Sequence, residues 1–426
     1  MAITPGPMVP ERHRTAVPGR GADRARRVLL GLCIVAGAVA LPAWPASAWS
    51  SPWVQPLDPA AAAGNSDEYA WRLFVALNWP ADPVTGAPDP GRNLGDDSPV
   101  VWEYWRNASR IFLKDGADPG PWEDGAVNRA LRDADRYEGL PLDSRAPTRH
   151  IVNGVMVAVT DPLAAASHLN ETHMNRASFE FIRERRLYSL QGQLDLIGQD
   201  RPVSFPAASR NVKAQWRPID ASQKSRYYTV EVAMADGSRR LYGLTALHIA
   251  TKDLPDWFWG TFEHVDNPSA LHAEWRLPSR DRFSCVGQAA DCSQAPRGIG
   301  LEGTVWQNYR LRGTMTGFVD AQGKPTLLAN AQLEAGVVQS TSSCITCHAR
   351  ASIGVVDGKP GRLAVFDDAA DPRGSSAPAN GPRPGFYGTP KPEWFIDGSA
   401  DGGGRRQYVP LDAVWSLQKA QAAAVH

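Results

Sequence analysis

The stretch YYTVEVAMADGSRRLYGLTALHI, residues 227–249, marks a change in the character of the chain. Its two arms are rich in β-branched and aromatic residues, and Asp236-Gly237 lies between them. Glycine accepts the positive φ that a tight turn requires, so Asp-Gly between two such arms is a strong hairpin signal. The pattern predicts an antiparallel β-hairpin in the middle of the chain.

Upstream of this hairpin, helix signals dominate. They cover residues 66–79, 99–113 and 171–188. In the first of these segments Ser66 can cap the helix, an apolar stripe follows, and Pro80 stops it. We therefore expect the upstream part of the chain to be mainly helical.

Downstream of the hairpin, the chain returns to β and then to loop signals. Residues 309–320 and 325–330 predict a second hairpin around Gln322-Gly323. Residues 354–404 are rich in Gly, Pro and Asp and predict a long wrapping loop, and residues 411–424 predict a closing helix.

Helices and strands do not alternate in this pattern, which favours an α+β fold. We expect a mainly helical region over residues 49–225 and an antiparallel β region over residues 226–330. Residues 331–426 are expected to form a third region, with a short helix and the long wrapping loop. These three regions follow a leader, residues 1–48.

The leader has the order of a secretory signal. A basic segment ends at Arg27, an apolar run covers residues 28–41, and Ala46-Ser47-Ala48 forms a small-x-small cleavage site. The alternative is a membrane anchor, but the run is shorter than the roughly 20 apolar residues that span a bilayer. We expect cleavage after Ala48, export to the periplasm, and no membrane span in the mature protein.

The charge balance excludes some classes of partner. The chain of 426 residues has 45 basic and 45 acidic residues, and the leader takes away six basic and two acidic ones, which leaves a net charge of −4. Such a chain has no general attraction to nucleic acid or to acidic membranes. Its 43% hydrophobic content is typical of globular proteins.

Two cysteines, Cys285 and Cys292, lie seven positions apart in CVGQAADC. In an oxidising compartment they are expected to close a short disulfide loop, with two free thiols as the alternative.

The other two mature cysteines lie in Cys344-Ile345-Thr346-Cys347-His348, the only Cys-x-x-Cys-His of the chain. On a helix, positions i and i+3 share a face, so both sulfurs can reach the vinyl groups of one haem and His348 can bind its iron. A thioredoxin-like thiol pair needs a strand directly before the motif, and a zinc site needs a second ligand pair, which the sequence lacks. We expect one covalently attached haem c with His348 as the proximal ligand, on a cytochrome c-like haem helix within residues 331–426.

The second axial ligand must come from upstream or be absent. No methionine follows Cys344, and the only later histidine is the final residue, His426. His248 and His264 are the candidate distal ligands, with Met315 as a further alternative. The intervening aromatic cluster of residues 257–262 is expected either to line the haem or to be plain core.

Two long stretches, residues 240–268 and 308–352, resemble a family of large, single-haem, exported bacterial c-type cytochromes. The segments LFVALNWPAD, VWEYW and VPLDAVWSLQKA fit the same pattern. The resemblance implies haem attachment at Cys344 and Cys347, ligation by His348, and an exported protein. It implies no particular substrate.

Electron transfer with a partner oxidoreductase is therefore the expected function. The alternatives are a haem enzyme with an open or weakly ligated iron, peroxidase- or oxygenase-like with a small-molecule substrate, and a haem-based sensor. The length of the chain favours an enzyme, because a simple carrier needs only about a hundred residues.

Overall fold

The computed structural model describes residues 51–123, 127–128, 148–152, 155–159, 169–199, 202–234, 237–267, 276–288, 291–334, 337–356, 358–363, 383–396 and 406–423. The predicted secretory signal, residues 1–48, lies outside them. Within the described residues, no helix is both long and apolar enough to cross a bilayer.

The described helices are few and short. They are α1 (Pro59–Gly64), α2 (Ser66–Leu77), α3 (Arg176–Glu184), α4 (Leu190–Leu194) and α5 (Cys344–Ala349). The strands are β1 (Arg106–Asn107), β2 (Thr148–Val152), β3 (Val155–Val159), β4 (Leu169–Met174), β5 (Arg210–Pro218), β6 (Thr229–Ala233), β7 (Arg239–Thr251), β8 (Phe258–His264), β9 (Tyr309–Met315), β10 (Val337–Val338), β11 (Ser352–Val356), β12 (Lys359–Gly361), β13 (Arg383–Pro384) and β14 (Tyr408–Pro410).

A seven-stranded antiparallel sheet organises the fold. Its strands follow the order β1-β4-β5-β7-β8-β9, and β6 pairs with β7 as well. The long strand β7 pairs with β5 along one edge, and with β6 and then β8 along the other. The predicted hairpin of β6 and β7 is confirmed and lies at the centre of this sheet.

The two faces of the sheet are covered by different parts of the chain. Side chains alternate between the faces along each strand, and directly paired residues share a face. We call one side the helix face, because Leu247, Ile249 and Phe262 pack there in one core with α2. The other is the motif face, where Trp259 and Met315 pack in one core with Cys344 and Ile345.

The α+β expectation with a helical first region is wrong. The fold is mostly antiparallel sheet with few helices, and residues 49–225 contribute β1, β4 and β5 to the sheet. Helix α2 is confirmed. The predicted helix over 99–113 is instead two 3₁₀ turns, Val101–Tyr104 and Ala108–Arg110, with β1 between them, because Arg106 and Asn107 pair with β4. The carboxylate of Glu103 accepts from Val100 N and from the Tyr228 hydroxyl.

The predicted helix over 171–188 begins later than expected. Residues up to Met174 belong to β4, and α3 starts at Arg176. Asn175 caps the helix by accepting from Ser178 N at 3.1 Å, and the same oxygen accepts from Arg210 N at 3.0 Å. This residue therefore ends the strand and starts the helix.

The cytochrome c-like C-terminal region is also wrong as a fold, since no helical cytochrome domain is seen in the described residues. Helix α5 has six residues, and β11, β12 and β14 form a small antiparallel sheet directly after it. The closing helix predicted for 411–424 is a 3₁₀ helix, Trp415–Lys419. Parts of the predicted wrapping loop, residues 357, 364–382 and 397–404, lie outside the described residues.

The second predicted hairpin is formed only next to its turn. Val319 and Pro325 make an antiparallel bridge around Gln322-Gly323, and Thr326 N donates to Phe318 O at 3.1 Å. Farther from the turn, Tyr309–Met315 becomes β9 and pairs with β8 rather than with residues 325–330.

Candidate functional site

Helix α5 carries the Cys-x-x-Cys-His motif and begins at its first cysteine. Ser343 is the N-cap, and its hydroxyl accepts from Thr346 N. The main chain before the helix is tied to residues 328 and 386, since Cys344 N donates to Leu328 O at 3.1 Å and Ser343 N to Phe386 O at 2.8 Å. The motif lies on the motif face of the sheet because Cys344 and Ile345 pack in one core with Trp259.

The two motif cysteines are free thiols, and neither is electrostatically activated. Burial raises the pKa of Cys347 to about 11 and raises that of Cys344 well above its usual value. The residues directly before the motif form a 3₁₀ turn, Gln339–Thr341, rather than the strand that a thioredoxin-like site has.

The imidazole of His348 has a defined orientation. Its Nδ1 lies 3.0 Å from the carbonyl oxygen of Ala413. A carbonyl can only accept, so Nδ1 carries the proton and Nε2 keeps its lone pair for a ligand. Burial lowers the pKa of His348 to about 3, which keeps the ring neutral, as ligation of a metal requires.

Candidate distal ligand His248 lies on the motif face of the central strand β7. It pairs with Lys213 of β5 on one side and Thr261 of β8 on the other, so the three side chains form a row across that face. The Nε2 atom of His248 is buried and has no hydrogen-bond partner. Burial lowers the pKa of His248 to about 3, with a smaller effect of the Lys213 charge.

An unpartnered buried imidazole nitrogen is costly, because the group has given up its bond to water without a replacement. The nearest acid is Glu334, whose Oε2 lies 3.5 Å from His248 Nε2. That separation is too long for a strong hydrogen bond. The lone pair or proton of His248 is therefore available to a group that is bound at this place.

Glu334 lies close to both the motif and the sheet. Its Oε2 is 3.5 Å from His248 Nε2, its side chain keeps 27% of its surface accessible, and burial raises its pKa to about 7. The charge of Glu334 acts on both Cys344 and Cys347, and that of Lys213 acts on His348. We call the neighbourhood of Cys347, His348, His248, Glu334 and Lys213 the motif recess.

The other candidate ligand, His264, lies on the helix face. Its Nε2 is 3.0 Å from Arg226 O, and its Nδ1 accepts from Asp266 N at 3.1 Å. The ring stacks on Tyr227 at 3.7 Å between centroids. Both nitrogens are thus engaged on the side of the sheet away from the motif, so we do not carry His264 forward as a ligand.

The alternative ligand Met315 is on the motif face but is part of its core. Its sulfur accepts a bond from the Ser343 hydroxyl at 3.8 Å. The aromatic cluster divides between the two faces. Phe258 and Phe262 belong to the core with α2, whereas Trp259 lies 4.5 Å from the His348 ring.

The predicted disulfide is confirmed. Cys285 and Cys292 are bonded to each other, and the loop lies apart from the motif recess in sequence and in the sheet. It closes a turn between β8 and β9.

The sequence did not point to three of these features. Lys213 alternates with apolar residues in RNVKAQW, which is a signal for a polar group on one face of a strand, but its face depends on the pairing. The carbonyl of Ala413 and the pair of Lys252 and Asp412 behind it leave no sequence signal.

The residues present fit a covalently bound haem. Two thiols lie one helical turn apart, a neighbouring imidazole has a free Nε2, and a second imidazole with an unpartnered nitrogen faces the same recess. In the described part of the chain, no cluster of three or more His, Cys, Asp and Glu side chains is arranged to hold a bare metal ion.

Comparison of the chain with protein-family models, with curated proteins and with solved structures finds no match.

Proposed function

We propose that the protein is an exported, single-haem c-type cytochrome that passes electrons to or from a partner oxidoreductase. Cys344 and Cys347 hold the haem by thioether bonds, and His348 is its proximal ligand. When bound, the haem supplies a one-electron change at its iron. The other groups around the motif recess determine what else reaches that iron.

One observation carries the proposal: two imidazoles face one recess, and each has an Nε2 free for a ligand. For His348 the free nitrogen follows from the bond between Nδ1 and Ala413 O, and for His248 from the lack of any partner. Two histidine ligands leave no open position, which favours electron transfer over chemistry on a bound substrate.

The rest of the motif face supports the same function. Trp259 covers one side of His348, and the neutral state of both imidazoles is favoured by their burial. An apolar, desolvated site limits the solvent rearrangement that accompanies a change of charge, and it tunes the potential.

A haem enzyme is the second candidate, and Glu334 is the observation that favours it. A carboxyl beside an imidazole is the arrangement of a distal acid–base pair, and both side chains face the recess. In that case His248 and Glu334 would move a proton on a bound small molecule, and the iron would keep an open position. The same opening would suit a gas sensor.

The periplasm is the proposed compartment. The leader of residues 1–48 and the Cys285–Cys292 disulfide support it, because disulfides persist in oxidising compartments.

The intact mass of protein exported from cells that attach haem to c-type cytochromes tests the proposal. We expect the chain to begin at residue 49 and to carry the added mass of one haem that survives denaturation. A mass equal to that of the bare polypeptide would contradict the cofactor, and retention of the leader would contradict the compartment.

A further inference from the structure

The chain bends sharply just where it approaches His348. Asp412 and Ala413 both have left-handed backbone, with φ of 49° and 58°. This region is unfavourable for residues with a side chain, and alanine has no polar group to compensate for it. Two such residues in succession persist only where the surrounding structure holds them.

An ion pair holds this bend. The Asp412 carboxylate accepts from Lys252 Nζ at 2.6 Å and from Phe205 N at 2.7 Å. The two side chains of the pair are 9% and 13% exposed. Lys252 Nζ donates to Pro255 O as well, at 2.6 Å, and the residue directly follows β7. The pair therefore joins the C-terminal bend to the end of the central strand.

The held bend presents one acceptor to the proximal ligand. Ala413 O lies 3.0 Å from Nδ1 of His348, and Leu411 N donates to Ala351 O at 2.8 Å, just after the end of α5. A bond from Nδ1 makes Nε2 of an imidazole a stronger donor, and it orients the ring. A stronger donor favours the oxidised iron and lowers the reduction potential.

We infer that Lys252 and Asp412 are positioning residues that hold the Ala413 carbonyl against His348 and so keep the haem reduction potential low. The inference rests on the proposed function, since it concerns the potential of the proposed haem. Neither residue touches the motif recess; both act through the bend.

The test is the midpoint potential of Asp412→Asn and Lys252→Met, measured by redox titration of the haem absorption. If the pair holds the bend, both substitutions loosen the Ala413 carbonyl, and both potentials shift upwards. Simple electrostatics predicts opposite signs, because loss of an anion raises a nearby potential and loss of a cation lowers it. The Lys252→Met variant alone is therefore decisive if Asp412→Asn does not fold.

Two controls accompany these variants. Lys252→Arg keeps the cation and a donor, and we expect it to retain the wild-type potential. Glu231→Gln breaks the exposed pair with Arg239, 3.0 Å apart on the β6–β7 hairpin, and should leave the potential unchanged.

The outcomes distinguish the positioning role of the ion pair from the proposed function of the protein. Upward shifts in both variants support the positioning role. Unchanged potentials, or shifts of opposite sign, in variants that carry haem would overturn this inference and leave the proposed function standing. A wild-type protein without covalent haem would overturn the proposed function, and the inference with it.

Discussion

The helix face and the motif face belong to one sheet, yet they bury different chemistry. On the helix face, Phe262 packs between Trp71 and Phe74 with centroids 5.0 and 4.4 Å apart, and α2 closes the layer. On the motif face, the same strands carry Lys213, His248 and Thr261 towards the recess.

The helix face has the close packing and the paired polar groups that a stable core needs. Two buried histidines on it, His173 and His264, have both ring nitrogens hydrogen bonded. On the motif face, the Nε2 atom of His248 has no hydrogen-bond partner, and burial raises the pKa of Glu334 to about 7. Buried polar groups cost free energy unless they are paired, so such groups mark the face that has a ligand to meet.

The largest difference between the two faces should appear when the haem attachment on the motif face is removed. Cys344→Ser combined with Cys347→Ser should abolish covalent haem, and Cys347→Ser alone should leave at most one thioether bond. Intact mass after denaturation measures the loss. The matched control is Cys285→Ser with Cys292→Ser, which should keep the full haem content while losing about 2–3 kcal/mol of stability. Undiminished covalent haem in the motif variant would contradict the attachment.

The next test substitutes, one at a time, two histidines that lie on opposite faces of the sheet. His248→Ala should convert a low-spin haem spectrum to a high-spin one and let carbon monoxide bind, because it removes the distal imidazole. His264→Gln should retain the low-spin spectrum in the folded protein, since that ring stacks on Tyr227 on the helix face. The reverse result, with the spectrum altered by His264→Gln and not by His248→Ala, would contradict the assignment of the faces.

A truncation on the helix face should act on stability alone. Phe262 is fully buried, so Phe262→Ala should lower the free energy of unfolding by about 3–5 kcal/mol. Urea titration measures the loss, and the haem spectrum of the folded variant should match the wild type. A changed spectrum with little loss of stability would mean that the two faces are not separate in function.

The pH dependence of the unfolding free energy tests whether His264 is buried as a neutral ring. Burial lowers its pKa to about 4, whereas the unfolded value is 6.5. The unfolded chain therefore takes up the proton first, and the stability contributed by the neutral ring is complete above pH 6.5 and is lost as the pH falls towards 4. The stability lost over this pH range is about 3 kcal/mol.

The matched variant for this titration is His264→Gln, which has no proton to gain there. The difference between the unfolding free energies of wild type and variant should shrink as the pH falls from 6.5 to 4. The neighbouring charges of Asp266, Arg226 and Arg217 are the same in both proteins. A difference that stays constant over this range would contradict a buried neutral ring.

Local signals were enough for some elements and not for others. The β6–β7 hairpin depends on a turn pair and α2 on an apolar stripe that ends at a proline, and both signals are local. The sequence predicts helix at β4 because the buried face of this strand is polar: Glu171 accepts from Trp216 Nε1 at 3.0 Å and lies 2.9 Å from His173 Nε2. Trp216 is 45 positions from Glu171 in the sequence, so the strand pattern is visible only once the sheet has formed.

The site residues also divide into those with a local signal in the sequence and those without one. The spacing of Cys344, Cys347 and His348 is a local signal, and it can be recognised from the sequence alone. The choice between His248 and His264 depends on strand pairing, which decides the face. The carbonyl of Ala413 is a backbone atom on a bend that an ion pair holds, and no pattern of side chains predicts it.

The most direct test of the account is the optical spectrum of the exported protein, oxidised and then reduced, before and after carbon monoxide is added. The account predicts a low-spin c-type spectrum in both states that carbon monoxide does not change, because His348 and His248 occupy both axial positions. A spectrum without haem would contradict the motif recess as a haem site. A high-spin spectrum that shifts with carbon monoxide would contradict ligation by His248 and leave it, with Glu334, as the acid–base pair of a haem enzyme.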